Sequence, residues 1–384
     1  MAGTAPDNQA PSHGEPSETP ERWLRAKLRH YHPGDAPQAA QAMHAIERAV
    51  LHAPPDPLSR ADSVGDPIQA CEAQPLFENP FEITDLLVFD HAALRDMLAC
   101  NAHGLTLDCF AAALHGAPPA VIQRIRAALP THQRRSFTQL LTQPISATQA
   151  NHARRQLLDN LFWELTYWKT PNLYDALIEG ERIHPGIFRR LTPDIRGKDV
   201  LDAGAGSGRA TFACLRAGAR RVYAVEPSPG LLRILKSKCA SHPARRQIIP
   251  IRGRFDHLPL EDDSVDLALS CSAFTAGPDQ GGEPGLAELR RVTRTGGKIV
   301  LIWPRPQDYA WLAEHGFHYV ALPARPDMAV RFRSLATALQ VARRFYARNT
   351  AAIRYLLRRH RPEIPFSILG VNPPHDYCWL PIEK

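Results

Sequence analysis

Three glycines at alternating positions, Gly204, Gly206 and Gly208, follow the acidic residue Asp202 in the stretch Asp-Ala-Gly-Ala-Gly-Ser-Gly. Glycine accepts positive φ and lets the backbone approach a ligand without a Cβ in the way, and the first N–H groups of a following helix are unpaired. Such a turn can hold a nucleotide-like ligand. Its G-x-G-x-G spacing differs from the G-x-G-x-x-G of dinucleotide-binding enzymes, which indicates another cofactor.

The elements around these glycines must place them at the edge of a sheet. Aliphatic residues at 200–201 predict a strand before the turn, and residues 209–215 predict a helix after it. A second strand, Arg221–Glu226, ends in an acid about twenty residues after the glycines, where a carboxylate accepts hydrogen bonds from both hydroxyls of a ribose. We therefore expect Glu226 to hold a ribose, with Pro227 beside it at the start of the next helix.

Three further segments follow in order. Residues 247–251 predict a strand that leads into the loop 253–259, residues 262–270 predict a turn and a fourth strand, and a helix ending at Val292 precedes the turn 295–298 and another strand. Together with the glycine turn, these segments resemble class I S-adenosylmethionine-dependent methyltransferases, in particular the UbiE-like group, over about 170–384. The resemblance implies an α/β fold, a Rossmann-like sheet with helices on both faces, and S-adenosyl-L-methionine as the cofactor.

The resemblance also implies which residues bind the cofactor. They belong to the glycine turn, the ends of the second and fourth strands and the loop after the third: Asp202, Gly204, Ala205, Gly206, Gly208, Glu226, Pro227, Phe255, Asp256, Ser270 and Ser272, with Phe274 lining the site. In this family the loop often carries an aspartate that accepts a hydrogen bond from the adenine amino group, but Arg254 stands in that place here. Asp256 could serve instead, and hydrogen bonding from the Phe255 backbone with apolar stacking would also suffice.

Residues 75–168 predict an all-α module that precedes the sheet, with Ser146 as the N-cap of its last long helix. The order of these helices, the turn Ala113–Ala117 and the final helix resemble the C-terminal domain of the flagellar motor switch protein FliG. In that family a charged helix face transmits torque, whereas the corresponding helix here, near Thr138 and Thr142, has no acidic residue. The resemblance therefore implies a helical docking module for a protein partner, and a plain helical cap is the alternative.

An aromatic-rich bridge formed by Trp163, Tyr167, Trp168 and Tyr174 leads from this module into the sheet. Aromatic residues at such spacing usually pack a seam between domains. The alternative is that one of them lies near the methyl donor. Tyr174 is then the first candidate, because it directly precedes the cofactor-binding domain.

Composition bounds the class of protein. The chain has 384 residues, of which 44% are hydrophobic, so two or three domains of about 150 residues each are expected. We find neither a run of about 18 apolar residues nor a basic-then-apolar leader, which predicts a cytoplasmic protein without membrane insertion. Seven cysteines lack the spacing of metal ligands, so we expect reduced thiols and no metal.

The two ends of the chain differ in character. Residues 1–20 are rich in Pro, Ser, Glu and Gly and predict a disordered tail, residues 21–74 predict short helices and a Pro-rich linker, and 169–384 complete the cofactor-binding domain. The net charge of +7 is concentrated late, since nine arginines and no Asp or Glu lie between Arg331 and Arg361. The solvated face of one helix over 335–357 explains this charge, and a face that binds nucleic acid or phosphate is the alternative.

No general base stands out, and His257, His315 and His318 are the only guesses. Methyl transfer from a sulfonium is an in-line displacement in which alignment supplies much of the acceleration, so the lack of a base motif does not argue against catalysis. The run Asn372–His375 is similar to the N-P-P-Y/F motif of amino-methylating enzymes but lies far beyond the fourth strand, where that motif belongs. We predict a methyltransferase acting on a small molecule or a protein. A cofactor-binding scaffold or regulatory protein without catalysis, and an RNA-directed methyltransferase, are the alternatives.

Overall fold

The computed structural model describes residues 79–99, 106–323, 328–347 and 349–384. The helices are α1 His91–Ala99, α2 Leu107–Leu114, α3 Pro119–Ala128, α4 Gln133–Thr142, α5 Ala147–Asn160, α6 Phe162–Lys169, α7 Pro171–Gly180, α8 Pro185–Ile195, α9 Arg209–Arg216, α10 Pro229–Ala240, α11 Gly282–Val292, α12 Tyr309–Glu314, α13 Leu335–Phe345, α14 Thr350–Arg359 and α15 Phe366–Leu369. The strands are β1 Asp199–Ala203, β2 Arg221–Glu226, β3 Ile248–Arg252, β4 Val265–Cys271, β5 Thr293–Ile302, β6 His318–Ala321, β7 Ala329–Arg331, β8 Glu363–Pro365 and β9 Asp376–Pro381. The predicted tail 1–20 and the predicted segment 21–74 lie outside the described residues.

The main sheet has seven strands in the order β3-β2-β1-β4-β5-β9-β6. The pairings among β1–β5 are parallel, and β9 is antiparallel to both of its neighbours. Successive side chains of a strand point to opposite faces. Accordingly Val200 packs with α8 and α9 on one face, whereas Leu201 packs with α11 on the other. Helices cover both faces, which confirms the predicted Rossmann-like α/β sheet.

The chain order reverses between β1 and β4, which are neighbours in the sheet. β2 and β3 lie on one side of this point, and β5 lies on the other. In open parallel sheets, ligands bind in the crevice at the carboxyl ends of the strands where the order reverses. The glycine turn after β1 and residues 270–274 at the end of β4 are therefore at the position where the fold places a ligand.

The helices before the sheet form a second body that the end of the chain completes. One hydrophobic core joins residues of α1–α7 with residues between Val330 and Leu369. Phe345 of α13 stacks on Trp163 of α6, with ring centroids 5.6 Å apart. A Cβ at Gly180, the last residue of α7, would lie 2.8 Å from a methyl carbon of Val330. We call α1–α7 together with residues 328–371 the helical body.

This packing differs from the predicted division into 75–168 and 169–384, because it groups α7 and residues 328–371 with the helices. The apolar face of α13, which includes Val341 and Phe345, packs in the same core as α1–α7. An amphipathic pattern shows that a helix covers apolar surface but not which body provides that surface. The domain boundaries therefore stay a prediction.

Two local expectations for the helices had different outcomes. Ser146 caps α5 as predicted, since its side chain accepts a hydrogen bond from the Gln149 N–H. The single helix expected over 335–357 is wrong: α13 ends at Phe345, and Asn349 caps a separate helix, α14. No helix among the described residues combines the length and the apolar character needed to span a bilayer.

Candidate functional site

The glycine turn joins β1 to α9 and lines a cavity at the carboxyl edge of the sheet. Gly206 has φ +56°, and a Cβ there would have no heavy atom within 4 Å, so the space above it is open. Gly204 has φ +72°, and a Cβ there would lie 2.6 Å from the Cβ of Ala273. Only glycine satisfies both the backbone conformation and this close approach to the end of β4.

Glu226, at the end of β2, is held rigidly beside this turn. Its carboxylate accepts hydrogen bonds from the Gly206 N–H at 2.8 Å and the Ser228 N–H at 2.9 Å. The side chain is 4% exposed, and burial raises the pKa of the carboxyl group to about 7, against the lowering effect of the two N–H donors. The carboxylate oxygens keep lone pairs that can accept hydrogen bonds from a ligand in the cavity.

Asp202 ends β1 below the turn and is fully buried. One carboxylate oxygen, Oδ2, accepts a hydrogen bond from the Thr211 hydroxyl at 2.5 Å, while the other, Oδ1, has no partner among the described residues. Burial raises the pKa of this carboxyl group to about 6. A buried acceptor without a partner at a cavity wall is the kind of group that a ligand donor satisfies.

The loop after β3 contains both residues that were expected to contact adenine, Phe255 and Asp256. Phe255 lines the cavity, whereas Asp256 does not. The Asp256 carboxylate is engaged by the Arg254 guanidinium at 2.9 Å, and Arg254 also pairs with Asp96 of α1 at 3.3 Å. Arg254 thus turns Asp256 away from the cavity. The placement favours Phe255 over Asp256 as the loop residue nearest to a ligand.

Three other expected residues also lie outside the cavity. The Ser270 hydroxyl is buried and accepts a hydrogen bond from the Phe274 N–H at 3.2 Å, which ends β4, and Phe274 itself packs against Phe255 and Trp311. Gly208, with φ +102°, begins α9 and lines a neighbouring groove. The remaining expected residues do line the cavity: Tyr174, Asp202, Gly204, Ala205, Gly206, Glu226, Pro227, Phe255 and Ser272.

The opposite wall comes from the helical body. Glu164 and Tyr167 of α6 line the cavity together with Tyr174 of α7, and the two tyrosine rings meet edge-on with centroids 4.8 Å apart. Glu164 makes no hydrogen bond with any residue that the structure describes, and burial raises the pKa of its carboxyl group to about 7, with Arg254 opposing the rise. We call Glu164, Tyr167 and Tyr174 the cap wall, and Asp202, Gly204, Gly206, Glu226 and Ser272 the turn wall.

The two walls are locked together by close backbone contacts. The Ser228 hydroxyl donates a hydrogen bond to the Tyr167 carbonyl oxygen at 3.0 Å. A Cβ at Gly230, in the first turn of α10, would lie 2.3 Å from that same oxygen. Only glycine lets α6 approach α10 this closely, so the cap wall occupies a defined position over the turn wall.

Arg209 is a cavity residue that the sequence analysis did not single out. Its guanidinium donates to the Ser272 hydroxyl at 3.2 Å, pairs with Glu181 at 3.4 Å and lies over the Trp303 ring at 5.7 Å. Ser272 has φ +59°, an uncommon conformation for a residue other than glycine that aims its side chain at Arg209. Arg209 and Ser272 line the cavity together with Phe255.

The histidines proposed as bases lie elsewhere. His257 borders a surface depression, His315 stacks on Trp311 with ring centroids 4.0 Å apart, and His318 stacks on Trp379. None of the three lines the cavity. The carbonyls of the Asn372–His375 run serve the fold, since the Asn372 oxygen accepts from the Trp303 indole and the Pro374 oxygen from the His184 N–H. That use is in keeping with the view that the run is not an amine-binding motif.

A family model described as a methyltransferase domain matches residues 200–297, which run from β1 into β5. Residues 200–297 therefore match a methyltransferase domain. An uncharacterized methyltransferase of Mycobacterium tuberculosis is 34% identical over 119 residues, which cover 30% of this chain and 44% of the relative. The tRNA U34 carboxymethyltransferase of Idiomarina loihiensis is 30% identical over 171 residues, covering 40% of this chain and 49% of that enzyme.

Among solved structures, an S-adenosylmethionine-dependent methyltransferase from Mesorhizobium loti is 26% identical and has a TM-score of 0.25, with 30% of this chain and 50% of that chain covered. The chain therefore spans about half the length, or less, of these relatives. The match to a methyltransferase domain implies S-adenosyl-L-methionine as the cofactor, as predicted. The comparisons do not support the FliG resemblance of 75–168. That resemblance depended on a helical period and a tight turn, which many all-α arrangements share.

The residues of the cavity fit this cofactor. The space above Gly206 is open, the Glu226 carboxylate is fixed beside it, and the orphaned Oδ1 of Asp202 offers an acceptor to a cationic ligand. The cap wall lies outside the matched domain, so this chain supplies part of the site from its own helical body.

Proposed function

We propose that the protein transfers a methyl group from S-adenosyl-L-methionine, bound between the turn wall and the cap wall, to an acceptor that is a small molecule or a protein. The observation that carries the proposal is the Glu226 carboxylate, fixed by two backbone N–H donors directly beside the open space above Gly206. A carboxylate in this place accepts from both hydroxyls of a ribose.

The remaining wall residues would then hold the other parts of the cofactor. Phe255 offers an apolar ring to adenine, and Asp202 offers its unpartnered oxygen to the ammonium of the methionine moiety. Pro227, Ala205 and Tyr174 also line the cavity. With ribose at Glu226 and adenine at Phe255, the methionine moiety extends towards Arg209 and Ser272.

Glu164 would replace the aspartate that the loop after β3 lacks. It projects from the cap wall into the same cavity as Phe255 and Glu226, and it interacts electrostatically with both Arg254 and Glu226. These neighbours support a role for the carboxylate near the adenine and the ribose of the donor. An acceptor without a partner there can take a hydrogen bond from the adenine amino group.

When bound, S-adenosylmethionine supplies a methyl group on a positively charged sulfur, which keeps the electron pair of the broken bond while a lone pair of the acceptor forms the new one. The protein contributes alignment, since both walls are rigidly placed. None of the three candidate histidines lines the cavity, so none of them is placed to accept a proton from the acceptor atom.

The helical body would also carry a protein partner. Its surface exposes the large apolar side chains Leu87, Trp163 and Leu357, which are 41%, 36% and 51% exposed. Contiguous exposed apolar surface marks protein contact sites, so the proposal requires that a partner cover Leu87 and Leu357 together. Capture of the same protein from a cell extract by the wild type, and its loss in Leu87→Ser/Leu357→Ser with unchanged thermal stability, tests this part of the proposal.

The donor and transfer steps are tested separately. Calorimetry should show binding of S-adenosylhomocysteine to the wild-type protein, and no binding would refute the donor site. Radiolabelled methyl transfer from S-adenosylmethionine into fractionated small molecules, protein and RNA tests the activity. Donor binding without transfer into any fraction would favour the scaffold alternative, and label in RNA would favour the RNA-directed one, to which the tRNA-modifying relative lends support.

A further inference from the structure

A groove of about 880 Å³ opens beside the donor cavity, between α8, α9 and the ends of α7 and α10. The two spaces adjoin, because Ile178, Ser207 and Arg209 line both. The size of the groove is that of a small-molecule binding site. A molecule in the groove therefore lies next to the donor cavity, on the side of the shared residue Arg209.

The groove is lined by cations that the protein leaves uncompensated. Arg182, Arg189 and Arg216 are exposed within it and form no ion pair with any residue that the structure describes. The two carboxylates of the lining are already engaged, Glu179 by Lys238 and Arg333 and Glu181 by Arg209. A concave surface with unpaired charges of one sign concentrates ligands of the opposite sign.

Apolar side chains separate these cations. Ile183 and Phe188 form one side of the groove, and Phe212 of α9 forms the other. All three are half-buried, so each presents apolar surface to the groove. A ligand that satisfies the whole lining has an anionic group and an apolar body.

We propose that this groove binds the methyl acceptor, and that the acceptor is a small organic anion, a carboxylate or phosphate ester with an apolar body. The proposal rests on the proposed function, which it makes more specific. Arg189 and Arg216 bind the anionic group, and the apolar body lies along Phe188 and Phe212 towards Arg209.

The first experiment uses 1-naphthyl phosphate as the anionic probe and 1-naphthol as its neutral counterpart, titrated into the full-length protein with S-adenosylhomocysteine present. The wild type should bind the phosphate more tightly than the naphthol. In Arg189→Gln/Arg216→Gln the Kd for the phosphate should rise at least about tenfold while the Kd for naphthol stays the same, because charge-assisted hydrogen bonds are lost. Arg233→Gln/Arg245→Gln is the matched control, since both arginines are exposed, lie outside the groove and form no ion pair among the described residues.

Equal losses in the two double variants, equal affinity of the wild type for both probes, or no binding of the phosphate would each overturn the groove assignment. Binding of S-adenosylhomocysteine is measured in the same samples. Its failure in the wild type contradicts the proposed function instead, so the two failures are distinguishable.

The second experiment identifies the acceptor class. A low-mass cell extract is separated by ion exchange into anionic, neutral and cationic fractions, and each is incubated with protein and methyl-labelled donor. Label should enter the anionic fraction, and Arg189→Gln/Arg216→Gln should lose most of that incorporation whereas Arg233→Gln/Arg245→Gln keeps it. Incorporation confined to the neutral or cationic fractions, or to RNA added as a separate arm, would overturn the substrate class.

Discussion

The turn wall and the cap wall face the same cavity but arise in different ways. The turn wall is built by short-range geometry, in which a glycine turn, a strand end and two N–H groups place Glu226 beside Gly206. The cap wall depends on long-range packing, since Glu164 and Tyr167 reach the cavity only because α6 is seated on α10. Half of the site is thus a property of the methyltransferase domain, and half belongs to the helical body.

This difference shows how one common fold acquires an individual site. In the proposed function the sheet supplies the groups that any nucleoside needs, a ribose acceptor and an open backbone. The helical body supplies cavity side chains that lie outside the matched residues, among them the Glu164 carboxylate. Variants in the two walls should therefore differ in the kind of effect as well as in its size.

The largest effect is expected from Gly206→Arg in the turn wall. The arginine would occupy the open space above the turn and would strain a backbone with φ +56°. Binding of S-adenosylhomocysteine should be undetectable by calorimetry. Gly197→Arg is the control, because Gly197 has φ +72° and open space but lies outside the cavity, and it should bind as the wild type does. Normal binding of S-adenosylhomocysteine by Gly206→Arg would show that the donor does not bind at the turn wall.

A smaller loss is expected from Glu226→Gln, which keeps the shape of the side chain but removes its charge. Hydrogen bonds from the ribose hydroxyls would weaken, and the Kd for S-adenosylhomocysteine should rise about 30- to 100-fold. Glu314→Gln, on the exposed end of α12, should have no effect. A change below threefold in Glu226→Gln would remove the ribose role.

The same residue predicts a pH dependence of stability. Burial raises the pKa of Glu226 from 4.5 to about 7. As the pH rises through that range, the unfolded chain loses this proton before the folded protein does, so the unfolding free energy falls. Between pH 5 and pH 8 the wild type should lose up to about 3 kcal/mol of unfolding free energy relative to Glu226→Gln. Urea denaturation of both proteins at the two pH values measures this. A difference that does not change with pH would contradict the buried environment of Glu226.

In the cap wall, Glu164→Gln should weaken S-adenosylhomocysteine binding about tenfold, the loss of one charge-assisted hydrogen bond. The sharper measurement is base selectivity. S-inosylhomocysteine carries an oxygen in place of the adenine amino group, and a glutamine amide can donate to that oxygen whereas a carboxylate cannot. The preference for adenine over hypoxanthine should therefore fall in Glu164→Gln and stay unchanged in Glu314→Gln. An equal loss for both ligands would show that Glu164 does not contact the amino group.

The smallest effect is expected from Asp256→Asn. Its carboxylate pairs with Arg254 outside the cavity, and exposed ion pairs contribute about 0–1 kcal/mol. The Kd for S-adenosylhomocysteine should stay within about twofold of the wild-type value. A tenfold loss of affinity would indicate that Asp256 of the loop contacts adenine and that Glu164 of the cap wall does not.

The turn wall could be predicted from the sequence to a greater extent than the cap wall. The parallel strands β1–β5, the glycine turn and the position of Glu226 at the end of β2 could be predicted, because each is indicated by the pattern of its own short segment. Glu164 could not, since nothing near it in the chain indicates that α6 lies over Phe255. Asp256 was a candidate because it lies two residues after Arg254, which occupies the position of the family's aspartate. The ion pair with Arg254 decides where the Asp256 side chain points, and the sequence does not indicate that pair.

The core that residues 328–371 share with α1–α7 has a consequence for the order of events during synthesis. The helices α1–α7 leave the ribosome first, yet Phe345 and Val330, which cover their apolar sides, are translated only after residues 200–297, which match the methyltransferase domain. Domains made early usually fold early. Here the first-made helices wait for the last-made ones, so a nascent chain that stalls before residue 328 leaves exposed the apolar sides of α1–α7 that Phe345 and Val330 later cover.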